Sequence, residues 1–361
     1  MAARYDPNRV EYLDESAVRR EMARSFQVCA DCRRCADFCP TFRDLFSALS
    51  FVGNEADRMT PHMQDQIADP CFECGRCLQG CPHSSSSGVD FPALMIRHRA
   101  MARENDLFGL GRKVTDLVRA RKNVLKRVVD RVPGVTRSAR GEFVEWFNTR
   151  PRIRMVKTNG SVAILPSCDA VAESAGIDTV KILEHNGVSC SLLGSVTTCG
   201  EELLRIGDIG GFTRVASRNV RELARVVDEG AEIVVLSSRC LEVIRNRYPE
   251  FVGGPQTDKV VEHVFGPAEF LVGLHDQQSL DVQFSGERPE SVEFRASCSA
   301  RQTGEAEAAG ALLRLAGIAV SSVEACCAGQ GCREAVSVPA GEADSEHPVQ
   351  VLARAYGMAR G

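Results

Sequence analysis

The chain has 361 residues, 44% of them hydrophobic and 25% charged, with a formal net charge of -4. That length allows two or three domains with a sizeable core, and the charge balance carries no signature of nucleic-acid binding. Its 16 cysteines would form a disulfide framework in a short secreted chain, but the N-terminus, MAARYDPNRVEYLDE, is charged and has no apolar signal core. The expectation is a cytoplasmic protein whose cysteines are metal ligands or redox groups. No run approaches the roughly 18 apolar residues of a spanning helix, so any contact with the inner face of the cell membrane would be peripheral or through a partner.

Residues 1–28 are polar and helix-prone (ESAVRREMARSF) and lead into the run Cys29-x2-Cys32-x2-Cys35-x3-Cys39-Pro40. A second run, Cys71-x2-Cys74-x2-Cys77-x3-Cys81-Pro82, repeats it. This is the spacing that ligates [4Fe–4S] clusters in bacterial-type ferredoxins. Three thiolates two residues apart sit on one tight loop and converge on three corners of a cubane. The fourth, in two-cluster ferredoxins, ligates the other cluster. That rule assigns Cys29, Cys32, Cys35 and Cys81 to one [4Fe–4S] cluster, and Cys71, Cys74, Cys77 and Cys39 to a second. Each proline fixes φ where the chain turns away. Structural zinc, which pairs two Cys-x2-Cys hooks, is the competing reading, and two equal runs of four cysteines disfavour it.

Between the runs, Thr41 to Pro70 carries helical spacing at Leu45, Ala48, Leu49 and Val52. The length of this link points to an all-helical ferredoxin type rather than the compact one. After Cys81 the serines of HSSSSG are expected as a loop, Asp90 as an N-cap, and Phe91 to Met101 as a helix. Residues 108–132 read as a basic amphipathic helix, with Val114, Leu117, Val118, Leu125, Val128, Val129 and Val132 on one face. Arg112, Lys113, Arg119, Arg121, Lys122, Lys126, Arg127 and Arg131 oppose only Asp116 and Asp130. A connector helix with a solvated outer face is the favoured reading, a docking face for anionic lipid or an acidic partner the other. Pro133-Gly134 ends it.

From Ser161 the pattern changes. SVAILPSC is a short apolar strand ending at Cys168; TVKILEHNG is a helix closed by Asn186-Gly187; VSCSLLG is a strand, with Cys190 in its middle as core. TTCG carries Cys199, VRELARVV is a helix, and AEIVVLSS is a strand leading to Cys240. Alternating strands and helices predict an α/β layer with a mostly parallel sheet, its cysteines at the carboxyl ends of strands. The order then recurs: SVEFRASC at 291–298 matches SVAILPSC at an offset of 130, as Gly317 matches Gly187. Cys326-Cys327-Ala328-Gly329 follows Thr198-Cys199-Gly200 by 128. This internal repeat predicts two similar half-domains, the second without a counterpart of Cys240. His83 reads as a solvated loop residue. His185 and His263 read as ordinary polar contacts or as non-cysteine ligands, and Cys332 as a substitute ligand. Gly207-x2-Gly210-Gly211 is too weak for a nucleotide loop. No flavin, NAD or Ser-His-Asp hydrolase fingerprint is present.

With both runs and the repeat in view, the chain resembles fused heterodisulfide-reductase-type iron–sulfur proteins. These include the fused C/B subunits of heterodisulfide reductases and the iron–sulfur subunits of glycolate, lactate and anaerobic glycerol-3-phosphate dehydrogenases. The N-terminal likeness includes Cys81-Pro82 followed by Gly88-Val89-Asp90. CGEELLRIGD, NRYPEF and VVEHVFGPAEFL resemble the first cysteine-rich "CCG" domain of that family, and SCSARQTG and CCAGQG the second. The resemblance implies an α+β multidomain fold: an N-terminal α-helical ferredoxin domain with two cluster loops (1–107), a basic helical linker (108–155), and a duplicated α/β cysteine-rich (CCG-type) region (156–285 and a truncated 286–361). It further implies a third iron–sulfur site drawn from Cys168, Cys199, Cys240, Cys298, Cys326 and Cys327. Here the sequence departs from the family: Thr198 and Ser237 replace cysteines in the first half, and the second half lacks the terminal pair.

The function this implies is an electron-transfer subunit of an oxidoreductase complex. It would relay single electrons from a flavoprotein dehydrogenase subunit to a quinone, a membrane subunit or another acceptor, with no flavin or NAD in this chain. The alternative is a heterodisulfide or thiol-disulfide reductase subunit whose catalytic cluster sits among the C-terminal cysteines; the missing thiols count against it. A third reading makes the repeat a metal-free docking scaffold.

Overall fold

Helix starts in the N-terminal part follow from local chemistry. Asp14 accepts a hydrogen bond from the Ala17 N–H at 2.7 Å and opens α1 (Glu15–Cys32). Pro40, directly after Cys39, takes the first position of α2 (Pro40–Phe51), where a missing N–H costs nothing. Thr60 caps α3 (Pro61–Ala68), and Asp90 accepts from the Ala93 N–H at 3.0 Å to open α4 (Phe91–Glu104). The serines expected as a loop form a helical turn, His83–Ser86. The computed structural model describes residues 5–105, 139–151, 159–166, 170–322, 334–337 and 346–358, without the side chains of 139–141 and 170–174. The expected basic helix 108–132 and Cys168, Cys326, Cys327 and Cys332 lie outside the described residues.

The chain divides into two compact units, and residues 200–214 group with the first rather than with the sequence that flanks them. In the first unit α4 is the hub, buried almost without interruption from Phe91 to Met101. Phe91 meets Phe26 of α1 and Phe42 of α2 at ring separations of 6.0 and 4.6 Å. Consecutive polar side chains on this buried helix each meet a partner on a different segment, because a buried polar or charged group without one is costly. Arg97 donates to the carbonyls of Glu11 and Tyr12. His98 Nε2 lies 2.7 Å from Asp65 Oδ1, which also accepts from Arg19 at 2.6 Å. Burial opposes the Asp65 charge, but those two partners hold its carboxyl below the ordinary range. Arg99 reaches the second cysteine run.

The second unit holds two sheets. One contains β1 (Ser161–Leu165), β2 (Ser189–Leu192), β3 (Glu232–Val235) and β4 (Val264–Phe265), in the order β2-β1-β3-β4 and parallel throughout. The helices α5 (Ala139–Thr149), α6 (Ala170–His185), α7 (Ile209–Asp228, its residues from Val215 on in this unit) and α8 (Pro267–Asp276) alternate with, precede or follow its strands. The other contains β5 (Ser291–Arg295), β6 (Ala319–Ser322) and β7 (Ala335–Ser337), in the order β6-β5-β7. Here α9 (Cys298–Thr303) and α10 (Glu305–Leu315) separate β5 from β6, and α11 (Pro348–Ala355) closes the region. The expectation of mostly parallel pairing fits the first sheet. In the second, β7 runs antiparallel to β5, so that sheet is mixed. Ser161 pairs with Ser189, and Ser291 with Ala319, so the strand–helix–strand order recurs in the same register. One apolar core, from Phe143 to Tyr356, joins both sheets of this unit. Among the described residues no helix is long and apolar enough to cross a membrane.

Candidate metal centre

The two cysteine runs share spacing but not backbone. Cys29 and Cys32 occupy the last turn of α1, and Arg33 ends it in the left-handed region (φ 54°) with its N–H on the Cys29 carbonyl at 2.9 Å. A 3-10 turn, Arg34–Asp37, then brings Cys35 back toward them. In the second run Cys71 and Cys74 lie on irregular chain, with Glu73 (φ 54°) and Gly75 (φ 66°) both left-handed before the turn Arg76–Leu78. A tight loop is thus present at the second run, whereas a helix end supplies half of the first.

Two cavities open at these runs. One, of about 400 Å³ with open solvent included, is lined by Cys29, Cys32, Cys35 and Cys81, together with Cys77 and the apolar walls of Phe38, Phe42, Phe46 and Val89. The other, of about 440 Å³ on the same basis, is lined by Cys71, Cys74, Cys77 and Cys39, with Phe38, Phe42, Phe72 and Phe91. The fourth cysteine of each run therefore lines the cavity of the other run. Phe38, Phe42 and Cys77 line both cavities, which makes them neighbours. Arg76 lies over the Phe38 ring at 4.7 Å.

The thiols act on one another both within and across the two groups. Burial, then repulsion from Cys35, Cys81 and Cys32, pushes the Cys29 thiol up to about 12. Burial, then Cys81, Cys39 and Cys32, does the same to Cys35. Burial raises Cys71 to about 12, against the pull of Arg99 and with repulsion from Cys74 and Cys39. Thiols crowded around an apolar void resist ionisation until a cation neutralises them, which is the behaviour of a site that deprotonates on loading metal. Among the described residues no three His, Cys, Asp or Glu side chains approach closely enough to hold a single metal ion. Cysteines that line a cavity without three of them converging on one point fit a multi-iron body rather than one zinc ion, whose ligand sulfurs lie about 2.3 Å from a common centre.

The cysteines of the second unit are arranged differently. Cys199 and Cys240 are buried. The Tyr248 hydroxyl donates to the Cys199 carbonyl at 3.1 Å and accepts from Asn219 Nδ2 at 2.8 Å, while that nitrogen also donates to the Thr198 carbonyl at 2.7 Å. Burial raises the phenol above its ordinary value, and Cys199 and Cys240 raise it further, so both thiols act on this one hydroxyl. Cys240 sits in the short helix Ser238–Glu242 after β3, and Cys298, the first residue of α9, takes part in a disulfide. Cys190 is half-buried on β2. His185 lies 2.9 Å from Asp281, and His263 2.9 Å from Glu232. His83 lines the first cavity.

Sequence reasoning missed several polar residues. Asn219 and Tyr248 hold the Thr198-Cys199 turn. Glu334 accepts from Ser238, Ser297 (3.1 Å) and His347 (3.1 Å). Arg99 and Glu73 brace the second run. None belongs to a motif; only the placement of three polar side chains in succession inside an apolar helix signalled that Arg97, His98 and Arg99 must each meet a partner.

Comparison with known proteins agrees with the N-terminal reading. Residues 21–82 match the family described as a 4Fe-4S dicluster domain. An uncharacterized iron-sulfur protein of Methanocaldococcus jannaschii is 23% identical over 261 residues, covering 68% of this chain and 48% of that protein. One of Methanococcus maripaludis is 24% identical over 271 residues, covering 70% and 49%. The chain thus spans about half the length of the curated relatives it matches. No solved structure matches it. The chain is an iron–sulfur protein with a 4Fe-4S dicluster domain near its N-terminus.

Proposed function

We propose that the chain carries two [4Fe–4S] clusters and relays single electrons within an oxidoreductase complex. The observation that carries this reading is the pair of neighbouring cavities, each lined by three cysteines of one run and the fourth of the other, with Cys77 reaching the first cavity as well. In this reading Cys29, Cys32, Cys35 and Cys81 hold one cluster, and Cys71, Cys74, Cys77 and Cys39 the other. A [4Fe–4S] cluster supplies reversible one-electron storage. The chain's own residues do the rest. The phenylalanines keep water from the thiolates, and the wall shared through Phe38, Phe42 and Cys77 keeps the two sites adjacent. The donor is read as a flavoprotein dehydrogenase and the acceptor as a quinone or another carrier. The second unit is read as a duplicated CCG-type region; the recurring strand register supports that duplication.

The test is iron and acid-labile sulfide per chain on anaerobically purified protein, with EPR of the reduced form. About eight irons are expected for two cubanes. About twelve, with an additional signal, would place a third cluster among the C-terminal cysteines and favour the reductase alternative. Bound zinc without sulfide would overturn the proposal.

A further inference from the structure

The first cavity has Arg33 and Arg34, both exposed, in its lining, and the second has Arg76, which lies over the Phe38 ring. A further cation, Arg99 of α4, lies outside that lining against the backbone of the second run and is largely buried, its side chain 14% exposed. Its guanidinium donates to the carbonyls of Cys71 and Ala68 and contacts the Glu73 carboxylate, itself 11% exposed. Glu73 is one of four non-glycine residues in the left-handed region among the described residues, and it lies between two cysteines of the run. Such a backbone needs outside support. At the equivalent place in the first run stands Asp31, exposed on the last turn of α1. Around the first run Arg24 is 41% exposed and is engaged by Glu21 and the Ser87 carbonyl, and Arg33 and Arg34 are exposed. Arg99, by contrast, is desolvated and donates directly to the Cys71 carbonyl.

We propose that Arg99 is a positioning residue for the second cavity that also sets its redox potential: it holds the Cys71–Cys74 loop through the Cys71 carbonyl and Glu73, and its charge favours the reduced state of the cluster bound there. The inference rests on the two-cluster reading above. Reduction adds one electron, and therefore one negative charge, with no bond made or broken. Burial opposes that added charge, and a desolvated guanidinium beside Cys71 offsets the opposition. Glu73 meets the guanidinium through the terminal nitrogen that does not bond Cys71 and offsets its charge, so the two residues pull the potential in opposite directions.

The test is an EPR-monitored titration of the full chain with dithionite as the electron source, on wild type, Arg99→Gln, Arg99→Lys and Glu73→Gln. Iron near eight per chain in wild type secures the two-cluster reading first; a different count there strikes that reading and not Arg99. Arg99→Gln is expected to lower one midpoint by about tenfold in the equilibrium, which is 59 mV for a one-electron couple, and to leave the other unmoved. Arg99→Lys, which keeps the charge and loses the fork, is expected to restore most of that midpoint. Glu73→Gln is expected to raise the same midpoint. Two unchanged midpoints in a fully loaded Arg99→Gln protein would overturn the proposal. Should Arg99→Gln load only about four irons, the positioning role stands, and Glu73→Gln decides the electrostatic one: an upward shift supports it and none refutes it.

Discussion

Gly207 lies against the carbonyl of Arg99: a Cβ built at Gly207 would stand 2.4 Å from that oxygen and 2.7 Å from its carbon. The glycine also sits at φ +74°, where side chains are strained. The obstacle is backbone inside a buried helix, so it has nowhere to move. Gly207→Ala is expected to destabilise the first unit by about 2–4 kcal/mol. Gly53→Ala, at φ +75° with open space around it, should cost only the conformational strain, about 1 kcal/mol. Thermal melts of both variants by circular dichroism give the comparison; equal losses would mean that the close approach to Arg99 is unimportant.

The exchange of fourth cysteines between the cavities can be tested with paired substitutions. Cys29→Ser with Cys81→Ser removes two ligands from one proposed cluster and should leave about four irons per chain. Cys77→Ser with Cys81→Ser removes neighbours in one run but ligands of both clusters, and should leave little iron. If each run served its own cluster, the outcomes would be reversed, and iron analysis beside EPR distinguishes them.

Glu305 should make the stability of the second unit depend on pH. Its carboxylate accepts from the Ala268 and Glu269 N–H groups at 2.7 and 3.0 Å. Burial, then the charge of Glu334, nevertheless raises it from 4.5 to about 8. The folded protein thus holds a proton that the unfolded chain has released. Its contribution to stability is therefore fully present below about 4.5, is lost as pH rises toward about 8, and then levels. The loss is on the order of a few kcal/mol. Glu334 behaves in the opposite sense. Burial alone would raise it, but His347, Ser238 and Ser297 hold it below its ordinary value, so its contribution is lost only as pH falls into the acid range. Urea denaturation between pH 5 and 8.5, followed by the single tryptophan, Trp146 of α5, should show the decline in wild type. A flat profile in Glu305→Gln is the expected control; an identical slope would rule out Glu305 as its source.

The Asn219–Tyr248 pair fixes the turn at Thr198 and Cys199. Removing the Tyr248 hydroxyl leaves the Cys199 carbonyl without that donor and Asn219 with one acceptor fewer. Tyr248→Phe is expected to cost about 1–2 kcal/mol. Urea midpoints read by Trp146 fluorescence measure this, and an unshifted midpoint would show that the hydroxyl contributes nothing net.

Much of this protein could be read from local rules. The two cysteine runs announce themselves by spacing, because ligands converging on one body must recur at fixed short intervals. Asp90 before α4, Pro40 after Cys39, and Gly187 after α6 mark boundaries through backbone chemistry confined to a few residues. The 130-residue offset between SVAILPSC and SVEFRASC reappears as matched strand register, since hydrophobic runs of that length have few other ways to pair. Tertiary structure alone decided the rest. That Cys29 and Cys32 end a helix while Cys71 and Cys74 lie on irregular chain depends on how α1 packs against α4, not on a spacing the two runs share. The antiparallel β7, the grouping of residues 200–214 with the first unit, and the partners of Arg99, Glu305 and Tyr248 depend on segments tens to hundreds of residues away. Periodicity records which face of an element is buried; the identity of what buries it is set only when the chain folds, because each buried charge or hydroxyl must then find its acceptor in space rather than in sequence.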